Sequence, residues 1–235
     1  MSVAAGPNVV TNGLGFSVDF YNTKSISETT LTNMSTNNIP VSLTNSNSNT
    51  LTITNGYADF NPSTLTSTST FYTISNTYFN DIKNEITLET CMWVYQNFGD
   101  DQYVRGVSTR TTETGSPLGF SIGASSISTE INTSNGWNTA VTSSVNVGYN
   151  KWVYISQTTS ATSGKFITYV NSINTKEQSF TGTISGGNGI LIGRGFYGGI
   201  CNYSGRVSFV RVYSRALSSQ EIQQNFNALR GRYGI

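Results

Sequence analysis

Three groups of side chains in this sequence could do chemistry, and the first is a pair of carboxylates. Glu85 and Glu89 stand four residues apart with Thr87 between them. Retaining cleavage of a glycosidic bond needs two carboxyl groups about 5–5.5 Å apart, one as nucleophile and one as acid. Alternating positions of a strand put side chains on one face at such a spacing, and this pair is the chain's best approximation to it. No aspartate supports the pair, and the expectation is two solvated strand carboxylates in a protein that is not an enzyme. The second group is Asp100 and Asp101, the only adjacent acidic residues in the chain. With Asn97 and loop carbonyls they could hold a calcium ion, which takes about 6–8 oxygen ligands. Such a pair more often forms a solvated turn, so no metal site is assigned and no cofactor is expected.

The third group is aromatic. Trp137 sits in Thr133-Ser134-Asn135-Gly136-Trp137-Asn138-Thr139. An aromatic ring with polar neighbours suits a half-wet surface, and amides can read sugar hydroxyls. Asn135 and Asn138 supply the amides. Phe196 and Tyr197, in the loop from Arg194 to Cys201, form a second group of this kind. These five residues are the candidates for binding a carbohydrate or a partner. Three readings of Trp137 stay open: a sugar contact, a contact between subunits, and packing at the edge of the core. Trp93 and Trp152 lie in apolar strands and are expected in the core. Arg206, Arg211 and Arg215 are expected to pin the last strand and a following helix to a sheet.

Other chemistry is excluded by what the chain lacks. It has no His, which removes Ser-His-Asp and Cys-His catalysis and the His-containing zinc sites. A net charge of +1 gives no electrostatic case for nucleic acid or an anionic membrane. No apolar run approaches the roughly 20 residues of a membrane span. Met1 to Pro7 has neither a basic region nor the apolar stretch of a secretory signal, so folding in a cytosol is expected. Cys91 and Cys201 have no C-x-x-C spacing and are expected to be reduced and partly buried, with a bridge between distant strands left open.

The elements that must position these residues are strands. Of the 235 residues, 36% are hydrophobic and 11% charged, with 23 Gly, 13 Tyr and 12 Phe. Ser, Thr and Asn fill the difference, an all-β composition with many turns. Period-two alternation predicts strands over Leu14–Phe20, Thr50–Ile53, Phe71–Ile74, Ile86–Tyr95, Gln102–Thr109, Leu118–Ile122 and Ser126–Ile131. It predicts others over Lys151–Gln157, Lys165–Ile173, Gln178–Thr183, Gly189–Ile192 and Arg206–Tyr213. Turn signals separate them, among them Gly115-Ser116-Pro117, Asn135-Gly136 and Gly186-Gly187-Asn188-Gly189. Ile86–Tyr95 begins half-polar and ends apolar on both faces, as a strand entering a two-sheet core does. No linker divides the chain, so residues 1–235 are expected to form one domain, with 1–80 as its polar N-terminal strands and loops. Residues 217–230 are expected to form one short helix. Ser218 and Glu221 make a capping box, Ile222, Phe226 and Leu229 share a face, and Gly231 is placed just past the end.

These segments resemble a known family. Ile86–Tyr95 is similar to the F-T-I-E-x-W-V strand of concanavalin A-like, laminin-G-type lectin domains. Asn150-Lys151-Trp152-Val153-Tyr154-Ile155 resembles their W-x-h-v strand, and Phe166-Ile167-Thr168-Tyr169-Val170-Asn171-Ser172 their Y-v-N-G hairpin. Leu191-Ile192-Gly193-Arg194 resembles i-G-r, and Gly205 to Leu217 resembles G-x-i-d-x-v-r-i-Y-n-R-a-L, followed by s-x-x-E-I at Ser218 to Ile222. In the N-terminal third, Asn12–Asp19, Thr30–Ser35 and Tyr57–Phe60 are similar to the family's opening elements. The resemblance implies a two-sheet antiparallel β-sandwich, a concanavalin A-like jelly roll. Leu31 stands where the family often has Trp, Asn33 and Ser208 where it often has Asp, and Asn61 where it often has Gly. Those losses weaken any calcium site the resemblance implies. The glucanase motif E-x-D-x-x-E is absent from Glu85–Glu89.

The ending Asn225 to Ile235 is similar to the tails of such domains in structural proteins of tailed phages and large DNA viruses. The resemblance therefore implies a non-enzymatic virion structural protein, either a capsid decoration or a fibre- or tail-attached module. Its partners would be other virion proteins, the capsid, tail or fibre subunits. The alternative is a glycan-binding module that contacts host-surface polysaccharide.

Overall fold

Alternation of apolar and polar residues becomes seventeen short strands in the computed structural model, all among the residues it describes. These are 7–27, 30–36, 39, 41–44, 52–60, 71–75, 77–95, 105–109, 118–122, 126–142, 147–185, 189–193 and 203–235. The N-terminal strands are β1 (Leu14–Asp19), β2 (Ile26–Ser27), β3 (Thr30–Leu31), β4 (Ser42–Thr44), β5 (Thr52–Thr54), β6 (Tyr57–Phe60) and β7 (Phe71–Ser75). A 3-10 turn over Thr77–Asn80 leads to β8 (Glu85–Val94), β9 (Arg105–Ser108), β10 (Leu118–Ile122), β11 (Ile127–Thr133) and β12 (Gly136–Thr142). The rest are β13 (Trp152–Ser160), β14 (Lys165–Val170), β15 (Ile173–Ser179), β16 (Gly189–Ile192) and β17 (Gly205–Tyr213), followed by helix α1 (Ser219–Tyr233).

Fifteen of the strands form two antiparallel sheets packed as a jelly-roll sandwich, and β2 and β3 pair with each other apart from both. The larger runs β15-β14-β13-β8-β17-β6-β5, with β1 also paired to β17, and the smaller runs β12-β11-β10-β9-β16-β7-β4. Inward positions of both make the core. Ile86, Leu88, Met92 and Val94 of β8 join Val207, Val210 and Val212 of β17 against Phe120, Ile127, Ile131 and Ile190 of the other sheet. Each such side chain contributes about 1.5–3 kcal/mol when fully buried.

The larger sheet also buries part of its outer face, under α1. Cys91, Tyr154, Phe209 and Tyr213 point outward and pack on Leu217, Ile222, Phe226 and Leu229. This second layer is why β8 reads apolar on both sides. The capping box forms as expected: Ser218 N–H donates to Glu221 Oε2 at 2.9 Å and Glu221 N–H to Ser218 Oγ at 3.3 Å. The helix runs past 230, however, and Gly234, at φ 67°, takes the left-handed cap position expected of Gly231. Tyr233 holds that extra turn by packing on Trp152 and Phe209 and meeting the Ser208 hydroxyl at 2.6 Å. Arg215 pairs with Glu221, and Asp19 receives Arg232 at 2.9 Å and Arg211 at 3.7 Å. Arg211 and Arg215 thus pin the last strand and helix as expected.

Two boundaries differ from the periodicity. The strand expected over Lys165–Ile173 turns back at Asn171 and Ser172, whose φ values of 48° and 65° make a two-residue hairpin turn. The strand expected over Gln178–Thr183 is instead the end of β15. The chain then crosses toward the smaller sheet, where Ile184 bridges Thr133.

Candidate functional site

Of the expected binding residues, Asn135, Trp137 and Asn138 lie on one hairpin. Asn135 lies in the tight turn of the β11–β12 hairpin, where its backbone N–H donates to Thr133 Oγ1 at 3.2 Å and its Nδ2 to Thr181 Oγ1 at 3.0 Å. It is exposed, but its amide ties the crossing segment to the hairpin. Trp137 and Asn138 are strand residues, opposite Asn132 and Ile131 in register. Phe196, Tyr197, Asp100, Asp101 and Cys201 lie outside the described residues. Among the described residues, no three potential metal ligands come together.

The carboxylate pair is not the solvated pair expected. Glu89 is fully buried under α1, accepting from the Tyr154 hydroxyl at 2.6 Å and from Asn225 Nδ2. Burial raises its pKa, against the lowering effects of Arg211 and those hydrogen bonds. Glu85 is half-buried and accepts from Ser160 Oγ at 3.0 Å and from the Ala216 N–H at 3.4 Å. Glu89 is covered while the helix is docked, and Glu85 is engaged at the start of the same strand.

The larger sheet instead assembles a row that sequence reading missed. Asp59 of β6 stands opposite Arg206 of β17, Arg206 opposite Trp93 of β8, and Trp93 opposite Trp152 of β13. Directly opposed residues of antiparallel strands share a face, so register alone lines up these four side chains on the outside of the sandwich. Tyr57, two residues before Asp59, and Tyr95, two after Trp93, extend the row on the same face. Tyr233 reaches it from the last turn of α1. All seven are half-buried, Trp93 and Trp152 included, so neither tryptophan is the core residue expected.

Geometry makes the row one unit. Ring centroids are 5.7 Å apart for Trp93 and Trp152, 5.8 Å for Tyr57 and Trp152, and 5.2 Å for Trp152 and Tyr233. The Arg206 guanidinium lies 4.6 Å from the Tyr57 ring centroid, 5.2 Å from Tyr95 and 5.3 Å from Trp93. Its Nε donates to Asp59 Oδ2 at 3.2 Å, and the Tyr95 hydroxyl donates to the two Asp59 oxygens at 2.9 and 2.7 Å. Burial, then the Asp59 hydrogen bond and charge, push Tyr95 up to about 12, so it stays a protonated donor at neutral pH. Trp93 Nε1–H finds no acceptor among the described residues. The row therefore offers aromatic faces for an apolar ring face, with donors and acceptors at one end. Parity was the signal available: Trp93 alternates with Glu89, Thr87 and Glu85, not with Leu88 and Met92.

A family model described as the concanavalin A-like lectin/glucanases superfamily matches residues 65–223. No curated protein matches this sequence. Solved structures do match by shape. The binding domain of botulinum neurotoxin DC in complex with SialylT superposes with a TM-score of 0.69 at 16% identity, over 93% of this chain and 52% of that one. The binding domain of Paraclostridial Mosquitocidal Protein 1 gives 0.65 at 16%, over 92% and 52%. A botulinum neurotoxin type C structure, on cell entry dependent on two ganglioside molecules, gives 0.67 at 14%, over 92% and 51%. The chain thus spans about half the length of these structures, and the likeness is one of fold.

Proposed function

This chain belongs to the concanavalin A-like lectin/glucanase superfamily, and from that premise we propose a non-catalytic glycan-binding module whose ligand lies across the Asp59–Arg206–Trp93–Trp152 row. The superfamily name covers binders and hydrolases alike, so the choice rests on this chain's own residues. The row carries it: half-buried aromatic faces meet a sugar's C–H face, while Arg206, Asp59 and Tyr95 meet its hydroxyls. Glu89 is sealed beneath α1 and offers no hydrolytic pair with Glu85. Similar structures include toxin binding domains studied with SialylT and with gangliosides, which supports a host glycan as the ligand class. Trp137, Asn135 and Asn138 remain a proposed contact of a second kind, on the hairpin at the far edge of the smaller sheet.

A structural place on a virion, as capsid decoration or fibre- or tail-attached module, is favoured by the ending Asn225 to Ile235 alone. It answers where such a module is carried, and a tail-borne module touching host polysaccharide satisfies both readings. No helix among the described residues is long and apolar enough to cross a membrane.

The test is a glycan array of neutral and sialylated oligosaccharides, followed by titration calorimetry on the hits. Saturable binding is expected, weakened about tenfold or more by Tyr57→Ala and Arg206→Ala in proteins with unchanged circular dichroism. Binding that ignores both substitutions, or no binding at all, overturns the proposal.

A further inference from the structure

The row lies at the C-terminal end of α1. At the other end, about 22 Å away for a 15-residue helix, the same sheet face holds a groove of about 340 Å³. Ile167 and Tyr169 of β14 form its floor, Leu217 a wall, and Ser163 part of its rim. Thr158, Ser160, Ser218 and Ser219 add hydroxyls, and Lys165 and Glu177, paired across β14 and β15 at 2.6 Å, supply the charges, their side chains 48% and 41% exposed. The wall is fixed from behind. Glu85 accepts from Ser160 Oγ of β13 and from the Ala216 N–H, which ties the strand to the segment entering the helix.

We infer that this groove is a second ligand site and that it takes a neutral hexose unit. Its size falls at the small end of the roughly 300–1,000 Å³ of small-molecule sites, and its lining is an apolar floor with a few polar groups. The ammonium and the carboxylate stand side by side, one donor-only and one acceptor-only. A vicinal diol satisfies both at once: one hydroxyl accepts from Lys165 Nζ and its neighbour donates to Glu177. The lining carries one positive and one negative charge, so an acidic sugar meets the carboxylate together with the ammonium and gains no net attraction. The groove shares its ligand class with the aromatic row but none of its residues.

The experiment is an amide chemical-shift titration of the full chain with methyl glucoside, methyl galactoside and methyl mannoside, and with N-acetylneuraminic acid as the acidic probe. Titrations should extend about tenfold past a millimolar dissociation constant. At least one neutral hexoside should shift Lys165, Ile167 and Glu177, and Glu177→Ala and Lys165→Ala should each weaken it about tenfold. Both are half-exposed positions at the sheet edge, and an unchanged spectrum elsewhere confirms the fold. No shift in the groove with any neutral sugar overturns the inference. So does tighter binding of N-acetylneuraminic acid, or binding that both substitutions leave intact. Tyr57→Ala should leave the groove untouched, so the row can fail while the groove stands, and the reverse.

Discussion

Asn225 and Glu89 meet beneath the helix, the Asn225 Nδ2 donating to the two carboxylate oxygens at 3.0 and 3.1 Å. The same amide accepts the Val10 N–H at 2.7 Å through its Oδ1 and reaches the Tyr213 hydroxyl at 3.1 Å. Tyr213 in turn donates to the Val10 carbonyl at 3.1 Å. One helix side chain therefore joins the central strand of the larger sheet to the N-terminal segment. Buried polar groups stay buried only when so paired.

Asn225→Leu keeps the volume but leaves the Val10 N–H and the Glu89 carboxyl short of a partner. A loss of about 2–4 kcal/mol is expected in urea unfolding. A loss below about 0.5 kcal/mol, the size of an ordinary surface change, would discount the clamp.

Glu89 gives stability a pH dependence. Its folded pKa is raised above 4.5 by burial, so its contribution is full below that value and declines as pH rises through the folded pKa. Glu89→Gln removes the titration. The stability of the variant relative to the parent should therefore grow from pH 4 to pH 8, and a difference that shrinks over that range contradicts the assignment.

Glu221 works with the opposite sign. Its hydrogen bond to Arg215, against a raising effect of burial and with help from Ser218, lowers it from 4.5 to about 2. Its contribution is present above 4.5 and disappears as pH falls toward 2. Thermal melts across that window should flatten in Glu221→Gln. At neutral pH, Ser218→Ala should cost about 1 kcal/mol through loss of the cap.

Cys91 is a free thiol sealed between sheet and helix, and burial pushes its pKa well above the ordinary value. Thiolate is the reactive form. In a Cys201→Ser background, Cys91 should resist a disulfide reagent in the folded protein and react at once in denaturant. Rapid labelling of the native protein would mean that the helix lifts readily.

Gly205 admits no side chain. A Cβ there would stand 2.0 Å from the Trp93 carbonyl oxygen and 2.8 Å from the Tyr203 hydroxyl. The carbonyl cannot withdraw easily, because Tyr203 donates to it at 2.9 Å and to the Arg206 carbonyl at 3.1 Å. Gly205→Ala should cost about 1–3 kcal/mol by overpacking. Since Trp93 and Tyr203 are the displaced neighbours and Trp93 belongs to the proposed ligand row, the proposed glycan binding should weaken as well.

The helix was legible because its signals are local: Ser218 and Glu221 sit three apart, and Ile222, Phe226 and Leu229 repeat at helical spacing. Most strands were legible for the same reason. β12 was not, because Gly136 to Thr142 is polar at most positions and reads as a continuation of the turn. The outward row escaped for a deeper reason. Asp59, Trp93, Trp152 and Arg206 come from four strands far apart in sequence, and only the register of the sheet makes them neighbours. Trp93 and Trp152 looked like core because each borders apolar residues, but those neighbours face inward while the tryptophans face out. Glu89 misled in the opposite direction: a carboxylate on a strand reads as solvated until a helix is seen to cover it.

The contact between Val10 and Asn225 also sets how the protein responds to tension. Leu14 pairs with Tyr213 and Asp19 with Phe209, so β1 enters the sheet at the same end from which β17 leaves it. Force applied between the N-terminal segment and the start of α1 loads the Asn8–Gln224 and Val10–Asn225 bonds first, then opens the β1–β17 ladder rung by rung. It does not shear every rung at once. Towed from these two points, the molecule yields at this seam while the sandwich behind it still holds.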